Sequence, residues 1–166
     1  VLSAHFISKL QQLNYYMLHP ETIVSCGTLP ANISAYCTKS ISSIRSTVRR
    51  SDDSAFELSQ VSNLPVLFQR IIHGVCYKSV CIGNTFHTYR YHAKTLDPRE
   101  QTISIEKYTT TSEMKIMLND IKKTIGFNYF DCDFIEQDKQ FFILEANPSP
   151  VPMELAYQAK DPGILD

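Results

Sequence analysis

The sequence predicts an α+β fold, on two observations: one strong amphipathic helix pattern in the last third of the chain, and strand-like segments clustered on either side of it. Strands alternating with helices, the mark of a parallel βαβ sheet, are not seen. The helix pattern runs from Thr110 to Gly126. Thr110 and Glu113 have capping-box spacing, and Met114, Met117, Leu118, Ile121 and Ile125 form one apolar stripe. Gly126 stands where a C-cap glycine belongs. Upstream, SKLQQLNYYML (8–18) carries Leu10, Leu13 and Met17 at helical spacing, while TIVSC and ISAYCTKSIS read as short strands. The polar stretch RRSDDSAFELSQVSN is expected to be loop with one helical turn. PVLFQRII reads as a continuous apolar strand, and KSVCIGNTFHTYRY as a hairpin turning at Gly83-Asn84. No repeat or low-complexity tract interrupts the chain.

After the helix come YFDCDFI and QFFILEAN, two apolar runs joined by the polar EQDK, which together read as a second hairpin. Acids are poor strand formers and are rarely buried unpaired, so Asp131, Asp133 and Glu145 need partners. Strict alternation places Asp131 and Asp133 on one face, with Phe141, Ile143, Glu145 and Asn147 sharing a face of the second strand. If the strands pair around the turn, Asp133 and Glu145 converge, with Asn147 two residues beyond. Two carboxylates and an amide oxygen suit a hard cation such as Mg²⁺, which is commonly held by one or two carboxylates plus substrate phosphates. The same pattern also fits exposed edge-strand acids that pair with lysine.

The chain has 166 residues, 43% of them apolar, enough for a core in one domain or two small lobes. A net charge of -1 supplies no field for nucleic acid or an anionic membrane. No apolar run approaches the length of a membrane span. The five cysteines, Cys26, Cys37, Cys76, Cys81 and Cys132, are odd in number and lack a C-x-x-C pair, which argues against disulfides and zinc and predicts a reduced, cytoplasmic setting. Starting at Val1 and ending in DPGILD, the chain is expected to be a piece of a longer protein.

Taken in order, SKLQQL, CTKSISSIRSTV, PVLFQRIIHG, YKSVCIGNTF, LDPR and YFDCDFI…FFILEANPSP resemble the ATP-binding region of the ATP-grasp ligases, from about Lys9 to Pro150. Within that group the chain is most similar to the microviridin-type ribosomal-peptide maturases, the graspetide synthetases, and next to glutamate-adding ligases. The resemblance implies two α+β lobes gripping ATP: a small, abbreviated lobe over 1–68 and a large lobe with hinge and metal site over 69–166. It also implies that a preceding N-terminal pre-ATP-grasp domain is missing. Such enzymes activate a carboxylate as an acyl phosphate, which an amine or hydroxyl then attacks.

Carried over by position, the resemblance makes Lys39 the phosphate-binding lysine and Lys9 a second basic residue near the nucleotide. Gln69, Arg70, Ile71 and Ile72 fall on the segment whose backbone meets adenine, and Leu144 joins the nucleotide contacts. Lys78 falls where many relatives have Arg, and a lysine lacks the planar guanidinium fork. Arg99, in LDPR, matches a catalytic arginine that neutralises charge on the transferring phosphate. Asp133, Glu145 and Asn147 match the Mg²⁺ ligands. Cys76 replaces a ribose-contacting acid, Pro98 interrupts the D-[WFY]-R motif, and between TIVSC and YCTKS only GTLPANISA stands where relatives carry a helix. The implied cofactors are ATP and Mg²⁺. The implied partners are a peptide or small carboxylate or amine substrate and a second copy of the chain. Two other classes stay open: a degenerate ATP-grasp module that binds without turnover, and a plain α+β interaction domain.

Overall fold

The computed structural model describes residues 17–25, 30–40, 49–50, 66–93, 102–148, 150 and 152–164. Lys9, Arg99, the helical pattern before Met17 and the stretch from Ser51 to Asn63 lie outside the described residues. The fold is α+β, with two antiparallel-rich sheets and few helices. Ten strands are described. They are β1 (Met17–Leu18), β2 (Thr22–Ser25), β3 (Tyr36–Ser40), β4 (Arg49–Arg50), β5 (Val66–Arg70), β6 (Val75–Ile82), β7 (Thr85–Ala93), β8 (Thr102–Tyr108), β9 (Tyr129–Gln137) and β10 (Gln140–Asn147). Helix α1 (Ser112–Ile125) precedes β9, and α2 (Pro152–Gln158) follows β10.

The described residues form two compact units. Residues 17–19, 73–92 and 102–164 make one, and residues 20–72 with Ala93 make the other. The division falls after Ile72 and is not contiguous: β1 joins the first unit and β5 belongs to the second.

The first unit holds a six-stranded sheet in the order β1-β10-β9-β6-β7-β8. Met17 and Leu18, expected to close a helix, pair parallel with Phe141 and Phe142 instead. One face of the sheet packs against α1. Met114, Met117, Leu118 and Ile121 meet Tyr77, Cys81, Phe130, Cys132, Phe134, Phe141 and Ile143 in one buried cluster. The apolar stripe was legible because its spacing follows the helix period.

The cap differs from expectation by one residue. Thr111, not Thr110, is the N-cap, its hydroxyl accepting from the Met114 N–H at 3.3 Å. The Thr110 hydroxyl is engaged elsewhere, with Thr88 at 2.9 Å and the Phe86 carbonyl at 3.2 Å. Gly126 ends the helix in the left-handed region at φ +74°, as expected. The β6–β7 hairpin turns at Gly83-Asn84 with Gly83 at φ +61°. The β9–β10 hairpin turns at Asp138-Lys139, both with positive φ.

The second unit holds a four-stranded sheet, β2-β5-β3-β4, with Phe68 and Tyr36 at its buried centre. Arg49 and Arg50, expected in a polar loop, pair with Thr38 and Cys37.

Candidate functional site

The face of the six-stranded sheet opposite α1 carries the polar residues. Lys78 on β6 is the Cα partner of Asp133 on β9, and Asp133 is in turn the partner of Glu145 on β10. Asp131 pairs in register with Val80 on one side and Asn147 on the other. Partners across a ladder share a face, so Lys78, Asp131, Asp133, Glu145 and Asn147 stand together over three neighbouring strands.

Strict alternation does not produce this arrangement. Phe141 and Ile143 point into the α1 core, and unbroken alternation would send Glu145 after them. The ladder slips between Ile143, which pairs with Phe134, and Glu145, which pairs with Asp133, leaving Leu144 as the extra residue. The bulge inverts the faces beyond it: Ala146 now packs on the α1 core, while Glu145 and Asn147 join the two aspartates. The expected grouping of Glu145 and Asn147 with Phe141 and Ile143 is therefore corrected. Glu145 does stand opposite Asp133, and Asn147, two residues beyond, stands opposite Asp131.

Lys78 lies between the two aspartates. Its Nζ is 3.0 Å from Asp133 Oδ2 and 3.3 Å from Asp131 Oδ2. Burial works against the ammonium, but Asp133 and Asp131 outweigh it and hold the lysine charged above its ordinary range. Asp131 is enclosed in the sheet, its side chain 5% exposed against 30% for Asp133. Burial pushes its carboxyl up to about 6 despite Lys78. Its Oδ1 is buried with no hydrogen-bond partner among the described residues.

The surroundings complete the electrostatics. Tyr91 on β7, the register partner of Cys76, has its phenol raised by burial and by the nearby Asp133, and Glu154 of α2 adds to that shift. The Cys76 thiol is raised by burial and by Asp133. The segment after β10 covers the neighbouring part of this face, where Ala159 and Ile164 pack on Val80 and Tyr89. Asp161 pins it, accepting from Tyr89 at 3.1 Å, from Lys107 at 2.7 Å and from the Gly163 N–H at 3.0 Å.

The donor set fits a hard cation. Among the described residues no three His, Cys, Asp or Glu side chains form a metal cage by themselves. Lys78 already supplies one positive charge to Asp133 on this face, and the buried Asp131 Oδ1 has no hydrogen-bond partner among the described residues.

Of the remaining sequence candidates, Leu144 lies in the first unit and the others lie in the second unit or outside the described residues. Lys39 is on β3, in register with Leu67. Gln69 is buried in β5, and its carbonyl accepts from the Cys37 thiol at 3.3 Å. The N–H of Arg70 donates to the Glu21 carbonyl and that of Ile71 to the Ala35 carbonyl. Those two donors are used within the unit, which narrows the backbone groups expected to meet adenine. Leu144 sits at the bulge of β10, half-buried.

Sequence reasoning placed Asp131 on the right face but gave it no partner, and it gave Tyr91, Glu154 and Asp161 no role. The D-x-D spacing was the available signal for Asp131. Nothing local marks Asp161, whose side-chain partners are 54 and 72 residues away in sequence.

No protein-family model and no curated protein matches the sequence. Solved structures do. The ATP-grasp ligase PsnB, complexed with minimal precursor, Mg and ADP, matches with TM-score 0.75 at 18% identity, over 96% of this chain and 54% of that one. The macrocyclase MdnC from Microcystis aeruginosa MRC, bound with precursor peptide MdnA, matches with TM-score 0.72 at 18% identity, over 95% and 56%. D-alanine--D-alanine ligase from Bacillus anthracis, complexed with ATP, matches with TM-score 0.64 at 16% identity, over 98% and 60%. The chain thus spans about half the length of these structures. With two sheets and one long helix among the described residues, and with these likenesses across nearly all its length, the chain has the ATP-grasp fold of RiPP-associated and D-alanine--D-alanine ligases.

Proposed function

We propose that this chain is the nucleotide-binding part of an ATP-dependent ligase that activates a carboxylate as an acyl phosphate for attack by an amine or hydroxyl, with a peptide as the molecule modified. The observation that carries the reading is the single polar face formed by Lys78, Asp133, Glu145 and Asn147 across β6, β9 and β10. Asp133, Glu145 and Asn147 would hold Mg²⁺, which when bound neutralises phosphate charge and orients the transferring group. Lys78 would supply a fixed positive charge beside the phosphates. Lys39 would grip phosphate from β3, and Ile72 with the neighbouring backbone would meet adenine, together with Leu144. Lys9 and Arg99 keep the roles implied by the sequence resemblance, a basic contact to nucleotide and charge neutralisation at the acyl phosphate. Peptide as substrate is supported by the neighbours, MdnC being bound with precursor peptide MdnA and PsnB complexed with precursor peptide PsnA2 in another of its structures.

The experiment uses the full chain, with thermal shift and ADP release measured with Mg²⁺-ATP and with candidate peptide acceptors. Stabilisation by Mg²⁺-ATP together with acceptor-dependent ADP release is the expected result; a ligand at 100 times its Kd adds about 2.7 kcal/mol. No shift with Mg²⁺-ATP would return the chain to the plain interaction domain. A second reading, a degenerate module that binds without turnover, is favoured by Cys76, which lies near enough to Asp133 to feel its charge and stands where the sequence resemblance implies a ribose-contacting acid. Stabilisation without ADP release from any acceptor would select it.

A further inference from the structure

Lys78 faces two carboxylates that differ in environment. Asp133 is the more open one, with β10 bringing Glu145 opposite it. Asp131 is sealed within the sheet, between Val80 and Asn147 in register, and has an unpartnered oxygen still available. An ionised carboxylate left alone at such a depth is far more costly than one at a third exposure, because water can solvate the latter and not the former. The ammonium can therefore leave Asp133 at smaller cost than Asp131, which would have to take up a proton once left alone.

Resting on the ligase reading above, we infer that Asp131 is a positioning residue: it is the permanent seat of Lys78, and Asp133 is the exchangeable one, surrendered when a divalent cation binds. A cation at Asp133 and an ammonium on the same carboxylate would repel at close range. With Asp131 to hold it, Lys78 shifts fully onto the buried acid. Its charge then stays beside the phosphate position instead of competing for the metal ligand. Without Asp131, Asp133 is the partner left to Lys78 in this pair, and the lysine blocks the cation.

The test uses the full chain and two readouts. Without metal, double-mutant cycles in thermal unfolding compare Lys78→Met with Asp131→Asn and with Asp133→Asn. The Lys78–Asp131 coupling should be the larger, and an equal or larger Lys78–Asp133 coupling overturns the inference. With Mn²⁺ as probe, Asp131→Asn should weaken binding by about 10- to 100-fold, the range seen when a group that orients a metal ligand is lost. Adding Lys78→Met to that variant should recover much of the loss. Unchanged Mn²⁺ affinity in Asp131→Asn overturns the inference. Should that variant fail to fold, carboxyl carbon shifts in the wild-type protein titrated with Mg²⁺ decide: Asp133, which gains the cation, should move far more than Asp131, which keeps its ammonium, and an equal or larger movement of Asp131 overturns it. If the wild type binds no divalent cation at all, the ligase reading falls, while the metal-free cycles still decide which acid seats Lys78.

Discussion

Glu145 faces Asp133 across the β9–β10 ladder because Leu144 is the extra residue between Ile143 and Glu145. Had the strand alternated without the bulge, the Glu145 carboxylate would have been directed into the apolar layer beneath α1. Instead it is exposed on the polar face, and its charge adds to those that raise Asp131 and Cys132. Glu145→Gln should therefore leave the fold intact, with a melting temperature unchanged or slightly higher, since one like charge is removed from a crowded acidic face. Mn²⁺ or Mg²⁺-ATP affinity should fall by at least about tenfold, as expected for loss of a group at or next to the metal. Calorimetric titration beside a thermal melt reads both, and full metal affinity in the variant would remove Glu145 from the ligand set.

Much of the first unit was legible in the sequence because its signals are local. The α1 stripe, Gly126, the Gly83-Asn84 turn and the alternation of Asp131 and Asp133 against Phe130 and Phe134 each follow from a repeat period or a backbone preference. The bulge was not legible: a one-residue slip leaves composition unchanged and is fixed by which pairing buries Ala146 instead of Glu145. The strand at Met17–Leu18 was missed for a similar reason, as its apolar residues suit either period and its pairing with Phe141–Phe142 is set by distant sequence. At the site, the basic partner expected for the acids is Lys78, which pairs with Asp131 and Asp133; a cation at the same face is the proposal made above. Asp131 and Asp133 are not edge-strand acids, because β9 lies between β10 and β6.

Lys39 tests the second unit. If it binds phosphate, Lys39→Ala removes charge-assisted hydrogen bonds of about 1.5–3 kcal/mol, so ATP and ADP should weaken roughly tenfold to a hundredfold. Adenosine, which has no phosphate, should bind as before. Comparing the three ligands by titration calorimetry separates the cases, and an equal loss for all three would make Lys39 a structural residue of β3.

Gly74 is required by close approach at the start of β6. A Cβ there would lie 2.1 Å from the Glu136 carbonyl oxygen and 2.8 Å from both the Glu136 carbonyl carbon and Ile135 Cγ2. Two of those neighbours are backbone atoms of β9 and cannot rotate aside. Gly74→Ala should force β6 away from β9 at the Val75–Glu136 end and cost about 1–3 kcal/mol, the usual range for overpacking. Urea unfolding gives the loss, and faster amide exchange near Val75 and Glu136 locates it. A variant as stable as wild type would mean that the strands separate there at no cost.

Asp161 fixes the C-terminal segment on the sheet, and its titration sets the acid limit of that contact. Burial alone would raise its carboxyl, but hydrogen bonds from Lys107, the Gly163 N–H and Tyr89 outweigh burial and hold it below the ordinary value of 3.8. A folded value below the unfolded one means that the carboxylate contributes stability above about pH 3.8, and that this contribution is lost as the pH falls through the lower folded value. At neutral pH, Asp161→Asn keeps the shape but replaces charged hydrogen bonds with neutral ones, a loss of about 1–2 kcal/mol. Because Ala159 and Ile164 reach the core around Val80 and Tyr89 through this segment, the loss should appear first as local opening of residues 152–164. Limited proteolysis or amide exchange across pH 3 to 7 should show the wild-type segment opening only at the acid end. The variant should be open at neutral pH with little further change on acidification. Identical profiles for the two proteins would mean that the apolar contacts alone hold the segment and that the Asp161 cluster contributes nothing measurable.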